Sequence, residues 1–355
     1  MNVVIVGPDK DEKGGIATVI NNISKEMATK DLSFITYSSW RSGSSFYRLF
    51  YSLLQLLRFP HFLKKNNIDF VYIHFAHKGS FSRKKVYAKI AKKHQKKVIL
   101  HAHSSSFDKF YRNAKPAKKK SIQKLFMNSC DTLIVLGEYW KVFYAEEIQV
   151  PKEKIKILHN AVTCPENHKY DPSSHIVTMF GRLGERKGTY DVLKAAKKFQ
   201  DNDYDVQFKL YGDGEIEKVH SLIQEYQLEN LSIEDWVTND KKKEKMSEAV
   251  LNILPSYHEG MPMAILETMA LGVPNAASNV GSIEEVIKNK HNGFVIHPGD
   301  IKSLYKVIES YIYHTDRKYK EKISNNAREM IEQEFNLTNY GKKLEEILMD
   351  KGEKK

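Results

Sequence analysis

Residues 255–274 read PSYHEGMPMAILETMALGVP. They follow the apolar run Val250–Leu254, which has the length and the flanking turn signals of a buried strand. Pro262 then precedes a helix expected to start at Met263 and to close at Leu271-Gly272, before Pro274. Glu259 falls in the loop and Glu267 inside the helix, one turn below Met263, so two carboxylates stand near one helix mouth. Carboxylates accept hydrogen bonds from vicinal hydroxyls, such as those of a sugar or a ribose. The amides of Met263 and Ala264 lie at the positive end of the helix dipole, where a phosphate is favoured. The side chains of Met261, Met263 and Met269 read as packing.

Outward from this stretch, short apolar runs alternate with helix-period segments. Towards the N-terminus they are Val3–Val6, Phe70–Phe75, Lys97–His101, Thr132–Leu136 and Ile155–Leu158. After a polar, proline-containing stretch at Thr163–His175 come Ile176–Phe180, Val206–Tyr211, Leu231–Glu234, Val250–Leu254, Asn275–Ala277 and Gly293–Ile296. Helical periodicity fills the gaps, and Ile301–Lys351 is helical with a break near Asn336. Strand–helix alternation of this kind predicts parallel sheets covered by helices. A length of 355 residues accommodates two such domains. The expected division is 1–165, 166–330 and a C-terminal helix, 331–355, packing back toward the first domain. Two doubly wound domains would place ligands beyond the carboxyl ends of their strands, with the default site in the cleft between them.

Further segments carry chemistry at such strand ends. GPDKDEKGGIATVI, residues 7–20, runs from a strand through Gly14-Gly15 into a helix; glycine there permits close approach of a ligand to the backbone. It is neither GxGxxG nor a P-loop, which argues against a nicotinamide dehydrogenase. FGRLGERKG, residues 180–188, sets Arg182 and Lys187 in a loop after a strand, a pair of cations suited to a diphosphate. Asp201-Asn-Asp203 has the spacing of a metal-binding pair but reads as a plain surface turn.

The chain carries a net charge of +12, and residues 1–165 hold 29 Lys/Arg against 12 Asp/Glu. Between Arg83 and Lys124 there are 15 Lys/Arg and one acidic residue, Asp108. RLFYSLLQLLRFPHFLKK, residues 48–65, mixes cations with aromatics and leucines. A basic face beside an apolar one suits an anionic bilayer. Helix–turn–helix, RRM and zinc-binding patterns are missing, so a nucleic-acid partner is not expected. Cys130 and Cys164 are too few and too far apart for a disulfide framework and read as free thiols. Neither an export signal nor an apolar run of membrane-spanning length stands out, which leads to the expectation of a cytoplasmic protein.

Residues 255–267 resemble the Glu-x7-Glu signature of retaining glycosyltransferases of family 4, which have the GT-B fold: two Rossmann-like α/β domains facing across a cleft. The resemblance extends over nearly the whole chain, because the Gly14-Gly15 turn, the Arg182/Lys187 loop and the paired glutamates come in the family's order. It implies that Glu259, with Gly260 and Met261, contacts the transferred sugar and that Glu267 holds the nucleotide ribose. Arg182 and Lys187 would neutralise the donor diphosphate, together with the helix at Met263 and Ala264, and Gly15 would approach that diphosphate from the N-terminal domain. ILHAHSSSF, residues 99–107, resembles the strand end carrying the family's active-site histidine, with His103 at that position and His101 as the competitor on the same face. ILHNAV, residues 157–162, places Asn160 in a nucleotide-binding segment, with Ala161 where the family usually has glycine. YGDG, residues 211–214, resembles a strand-ending turn beside the nucleotide.

Such a resemblance implies transfer, with retention, of a hexose or N-acetylhexosamine from a nucleotide sugar, with UDP as the expected carrier. The expected acceptor is a lipid-linked glycan precursor of a cell-surface polysaccharide, met peripherally at an anionic membrane surface. No metal and no other cofactor is expected. The same fold acting on a protein or soluble acceptor is the alternative. A non-catalytic protein binding an anionic surface or nucleic acid would not need the glutamate pair.

Overall fold

The computed structural model describes residues 1–12, 14–27, 32–166, 170–237 and 239–349. They fall into two compact units, one of Met1–Asn160 with the described residues from Leu337 onward and one of Ala161–Asn336.

The first unit runs β1 (Asn2–Gly7), α1 (Gly15–Glu26), β2 (Ser33–Ser38), α2 (Ser45–Lys65), β3 (Phe70–Phe75), α3 (Gly79–Lys93) and β4 (Lys97–Ala102). It continues with α4 (Phe107–Arg112), α5 (Pro116–Ser129), β5 (Thr132–Val135), α6 (Glu138–Glu146) and β6 (Ile155–Ile157). All strands are parallel, in the order β2-β1-β3-β4-β5-β6. Such a sheet is covered on both faces, which is why its central strands are mostly apolar: all six residues of β3 are buried, His74 among them, as are Val3–Val6. Fully burying each Val or Ile side chain stabilises the fold by about 1.5–3 kcal/mol.

The second unit runs β7 (Ile176–Phe180), α7 (Thr189–Asp201), β8 (Gln207–Tyr211), α8 (Ile216–Glu225), β9 (Leu231–Glu234), α9 (Asn239–Ser247) and β10 (Leu251–Leu254). Then come α10 (Met263–Ala270), β11 (Asn275–Ser278), α11 (Ile283–Val286), β12 (Gly293–Ile296), α12 (Ile301–Tyr313) and α13 (Arg317–Glu334). Its parallel order is β12-β11-β10-β7-β8-β9. The last helix, α14 (Leu337–Met349), belongs to the first unit.

The unit boundaries differ from the expected 165/166 and 330/331. Val162 N donates to Phe335 O at 3.0 Å and Arg328 donates to Pro165 O at 2.6 Å, which ties the chain after Asn160 to the second unit. α13 continues unbroken to Glu334, so the crossing falls at Asn336. The stretch read as a linker is likewise held to the second unit where it is described: the Tyr170 hydroxyl donates to Val250 O at 3.1 Å and meets the Tyr311 hydroxyl at 2.7 Å. Asn167, His168 and Lys169 lie outside the described residues. Asp201 pairs with Lys197 of its own helix at 2.7 Å.

Candidate active site

In the second unit the chain lays down β7, β8 and β9 in one direction and then β10, β11 and β12 in the other. The loops leaving the adjacent strands β7 and β10 therefore diverge, and the crevice at their carboxyl ends is the natural ligand position. The first loop carries Arg182, Arg186 and Lys187, and the second carries Glu259. Gly188 sits between Lys187 and α7 with a left-handed φ of +73°, and a Cβ there would collide with Pro255 O. Tyr257 fastens the two loops, its N donating to Arg186 O at 2.9 Å and its hydroxyl to Asp191 Oδ2 at 2.9 Å.

The turn aims two cations at one carboxylate. Lys187 Nζ lies 2.7 Å from Glu259 Oε1, and Arg186 Nη1 lies 3.3 Å from the same oxygen while donating to His258 O at 2.9 Å. Ser256 Oγ donates to Oε1 as well, at 2.8 Å. Burial alone would push the Glu259 carboxyl up; Lys187 and Arg186 outweigh it and hold the group below the usual carboxylate range. Burial lowers the Lys187 ammonium, and Glu259 opposes that shift. Glu259 is therefore ionised at neutral pH, with the Lys187 ammonium as its nearest cation. All three contacts fall on Oε1, which leaves Oε2 of Glu259 without a protein hydrogen bond among the described residues.

Glu259 leads through buried Gly260, Met261 and Pro262 into α10. Ser282 N donates to Gly260 O at 2.9 Å and fixes this passage. No side chain caps the start of α10, so the amides of Met263 and Ala264 stay available to an anion. Glu267, one turn on, is partly exposed, and its Oε2 accepts from Lys242 Nζ of α9 at 2.6 Å. Arg182 is exposed and joins no ion pair among the described residues. The turn after β8 packs against this loop: Leu183 N donates to Asp213 O at 2.6 Å, and Glu215 N to Leu183 O at 3.0 Å.

In the first unit the switch point lies between β1 and β3. Gly14 there has φ +121°, and Gly15 opens α1, which has no side-chain cap. His103 follows β4 and is half-buried, with Nε2 2.8 Å from His74 Nδ1 on β3. His101 is fully buried, with Nδ1 2.7 Å from the Tyr72 hydroxyl. Between the two histidines of the H-A-H segment, His103 is thus the one that reaches the surface. Burial lowers His103 to about 3 and holds His74 and His101 well below the usual imidazole range. His74, His101 and His103 each offer a ring nitrogen within 4.8 Å of the others, the one group among the described residues whose donors could hold a metal ion. Asn160 is buried at the end of this unit.

The structure thus joins Lys187 to Glu259 directly and sets Met263, Ala264 and Glu267 on the helix that Glu259 leads into; Arg182 stays apart from the ion cluster. Arg186, Lys242, Ser256 and His74 carry no sequence signal of their own. Arg186 stands inside the quoted GERKG segment, but which of three neighbouring cations turns inward depends on the glycine dihedrals. Lys242 belongs to the run KKKEK, which gives no sign that one lysine meets a glutamate 25 residues away.

The model of the family described as "Glycosyltransferase Family 4" matches residues 13–164, and that described as "Glycosyl transferases group 1" matches 165–330. An Escherichia coli UDP-Gal:alpha-D-GlcNAc-diphosphoundecaprenol alpha-1,3-galactosyltransferase is 29% identical over 81% of this chain and 77% of its own length. An uncharacterized 41.2 kDa protein in the cps region of Klebsiella pneumoniae is 27% identical over 90% of this chain and 93% of its own. Among solved structures, sucrose-phosphate synthase from Thermosynechococcus elongatus superimposes with a TM-score of 0.81 at 15% identity, covering 98% of both chains. Anabaena HepE in complex with UDP and glucose does so with a TM-score of 0.77 at 16% identity, covering 98% of this chain and 99% of that one. With two doubly wound units of the GT-B fold and both family domains in sequence, the chain belongs to the family 4 glycosyltransferases.

Proposed function

We propose that this enzyme transfers, with retention, a hexose or N-acetylhexosamine from a UDP-sugar to a lipid-linked glycan precursor of a cell-surface polysaccharide. The reading places the chain on the cytoplasmic side, peripherally at an anionic membrane surface. The observation that carries it is the Lys187–Glu259–Arg186 cluster at the β7/β10 switch point, on the loop that opens α10. Glu259 is held ionised through Oε1, and its free Oε2, with the Gly260 and Met261 amides, is suited to the hydroxyls of the transferred sugar. Glu267, one turn into α10, takes the ribose in this reading. Lys187, Arg182 and the Met263 and Ala264 amides supply positive charge to the departing diphosphate. Gly15, Asn160 and His103 serve from the first unit, Gly15 at the diphosphate, Asn160 at the nucleotide and His103 at the sugar. Two relatives bear names that refer to lipid-diphosphate acceptors, the Escherichia coli galactosyltransferase and a Campylobacter jejuni N-acetylgalactosaminyltransferase.

In this mechanism the bond from C1 to the diphosphate oxygen breaks while the acceptor oxygen bonds C1 from the same face. The acceptor proton passes to the departing diphosphate. Fixed charges at such a leaving group contribute about 3–4 kcal/mol per well-placed donor, so two cationic side chains and the helix amides supply what a metal would otherwise do. Turnover unchanged by a chelator is therefore expected. The test is incubation with UDP-glucose, UDP-galactose and their N-acetylated counterparts and a polyprenyl-diphosphate sugar, read by UDP release and by the anomeric configuration of the product. One donor should be consumed and give a retained product; an inverted product, or no UDP release from any donor, would overturn the reading.

A further inference from the structure

α2 is built the wrong way round for a helix that only covers a sheet. On a helical projection Phe46, Leu49, Phe50, Leu53 and Leu57 fall within an arc of about 100° and form a ridge about 16 Å long. All five face away from the protein, with 81%, 62%, 58%, 51% and 79% of their surface exposed. A separate face of the same helix, about 115° round from the ridge, buries Ser52, Phe59 and Leu63. Single exposed apolar residues need no explanation, but a continuous ridge of five large ones marks an interaction surface.

The surrounding charge identifies what covers it. α2 contains no acidic residue; Arg48, Arg58, Lys64 and Lys65 lie along it and are exposed. Residues 32–107 hold 14 Lys/Arg and one acid, Asp69. An apolar ridge on a helix that has no acid and four exposed cations, with Lys64 extending the line of the ridge, matches the headgroup and acyl boundary of an anionic bilayer. A second copy of the chain would bring these cations against one another. No described helix is long and apolar enough to cross a membrane, which leaves α2 lying in the interface plane. Because α2 follows β2, its apolar N-terminal half starts at the carboxyl edge of the sheet, the edge at which His103 follows β4.

We infer that α2 is the membrane-docking element, with the ridge from Phe46 to Leu57 inserted among lipid tails and the cations at headgroup level. This deepens the transferase reading by naming the surface through which the enzyme meets a lipid-linked acceptor. Binding then has an apolar component that outlasts salt screening.

The test compares partition onto phosphatidylcholine vesicles with and without phosphatidylglycerol. The wild type should bind the anionic vesicles, more weakly but still measurably in high salt. Leu53→Ser/Leu57→Ser, which alters only exposed positions, should lower the partition about tenfold or more. Emission of a Leu57→Trp variant should shift to the blue on binding and be quenched by brominated lipid. Equal binding of the double variant, unchanged tryptophan emission in the bound protein, or a vesicle-free dimer that the double variant abolishes would each overturn the inference. UDP release measured without vesicles should be the same for wild type and double variant. Its absence in both would count against the transferase reading alone and leave the vesicle result standing.

Discussion

Lys187 Nζ lies 2.7 Å from Glu259 Oε1, with only 10% of one side chain and 7% of the other exposed. A buried ion pair of this kind is costly to break from one side, since the remaining charge loses its partner. Lys187→Met is expected to destabilise the protein by about 3 kcal/mol, at the lower end for such a loss because Arg186 and Ser256 still contact the carboxylate. Lys187→Met/Glu259→Leu should recover much of that stability and none of the transfer activity. Denaturant unfolding of the single and double variants checks this, and additive losses would show that the pair is not coupled.

Glu267 and Lys242 form a second pair at 2.6 Å, with 22% of each side chain exposed, so water and ligand reach it. If Glu267 receives the ribose hydroxyls, Glu267→Gln removes a charged hydrogen bond worth about 1.5–3 kcal/mol. Affinity should fall about tenfold or more, and equally for UMP and UDP, since both carry the same ribose. Lys187→Ala should discriminate between these two ligands, because the charge it removes is directed at the diphosphate. Titration calorimetry with the two nucleotides separates the effects; a Glu267→Gln loss confined to UDP would remove the carboxylate from the ribose.

Gly188 shows how backbone geometry sets this charge arrangement. Its left-handed φ of +73° and its contact with Pro255 O let the β7 loop close onto the β10 loop. Gly188→Ala places a side chain in a strained region at a cost of about 1–3 kcal/mol, and its Cβ must displace the carbonyl at the root of the Glu259 loop. A shift of about 1 Å at a reacting centre costs about a hundredfold in rate. The expected result is a modest loss in melting temperature with a disproportionate loss in kcat. Unchanged kcat would mean that the two loops do not position each other.

The strands that bury both faces were legible because apolar side chains dominate them, as in Phe70–Phe75 and Ile176–Phe180, whose sequence and structural limits coincide although β3 also buries His74 and β7 buries Thr178. β2 was not: SFITYS lies at the sheet edge, pairs only with β1 and is largely uncovered, so it carries too little apolar signal. α9 escaped for the same reason, its sequence NDKKKEKMS being almost wholly polar. The glutamate pair was legible from spacing, because a loop and one helix turn fix it locally. The choice of Arg186 over Arg182 as the partner of Glu259 depends on three positive-φ glycines, Gly181, Gly184 and Gly188, whose combined path no local pattern specifies. His74 joins His103 only through the β3/β4 register, a relation between segments 29 residues apart.

That histidine array has a consequence for stability. Burial keeps His74 and His101 neutral in the folded state and lowers His103 to about 3, whereas each ring takes up a proton near pH 6.5 once unfolded. The unfolded chain therefore binds more protons below pH 6.5. The stabilisation is complete above that value and is lost progressively as the pH falls toward the folded values. Each fully buried ring contributes a slope of about 1.4 kcal/mol per pH unit in that window. Between pH 7.5 and 5.5 the Glu259 carboxylate, held below its ordinary range, stays charged and does not interfere. Melting temperature should hold steady down to about pH 6.5 and then decline. His101→Gln, which keeps a hydrogen-bonding partner for the Tyr72 hydroxyl while removing one titrating ring, should flatten the decline. Equal slopes in the variant and the wild type would show that this ring takes up its proton without unfolding, and would place the acid sensitivity elsewhere in the chain.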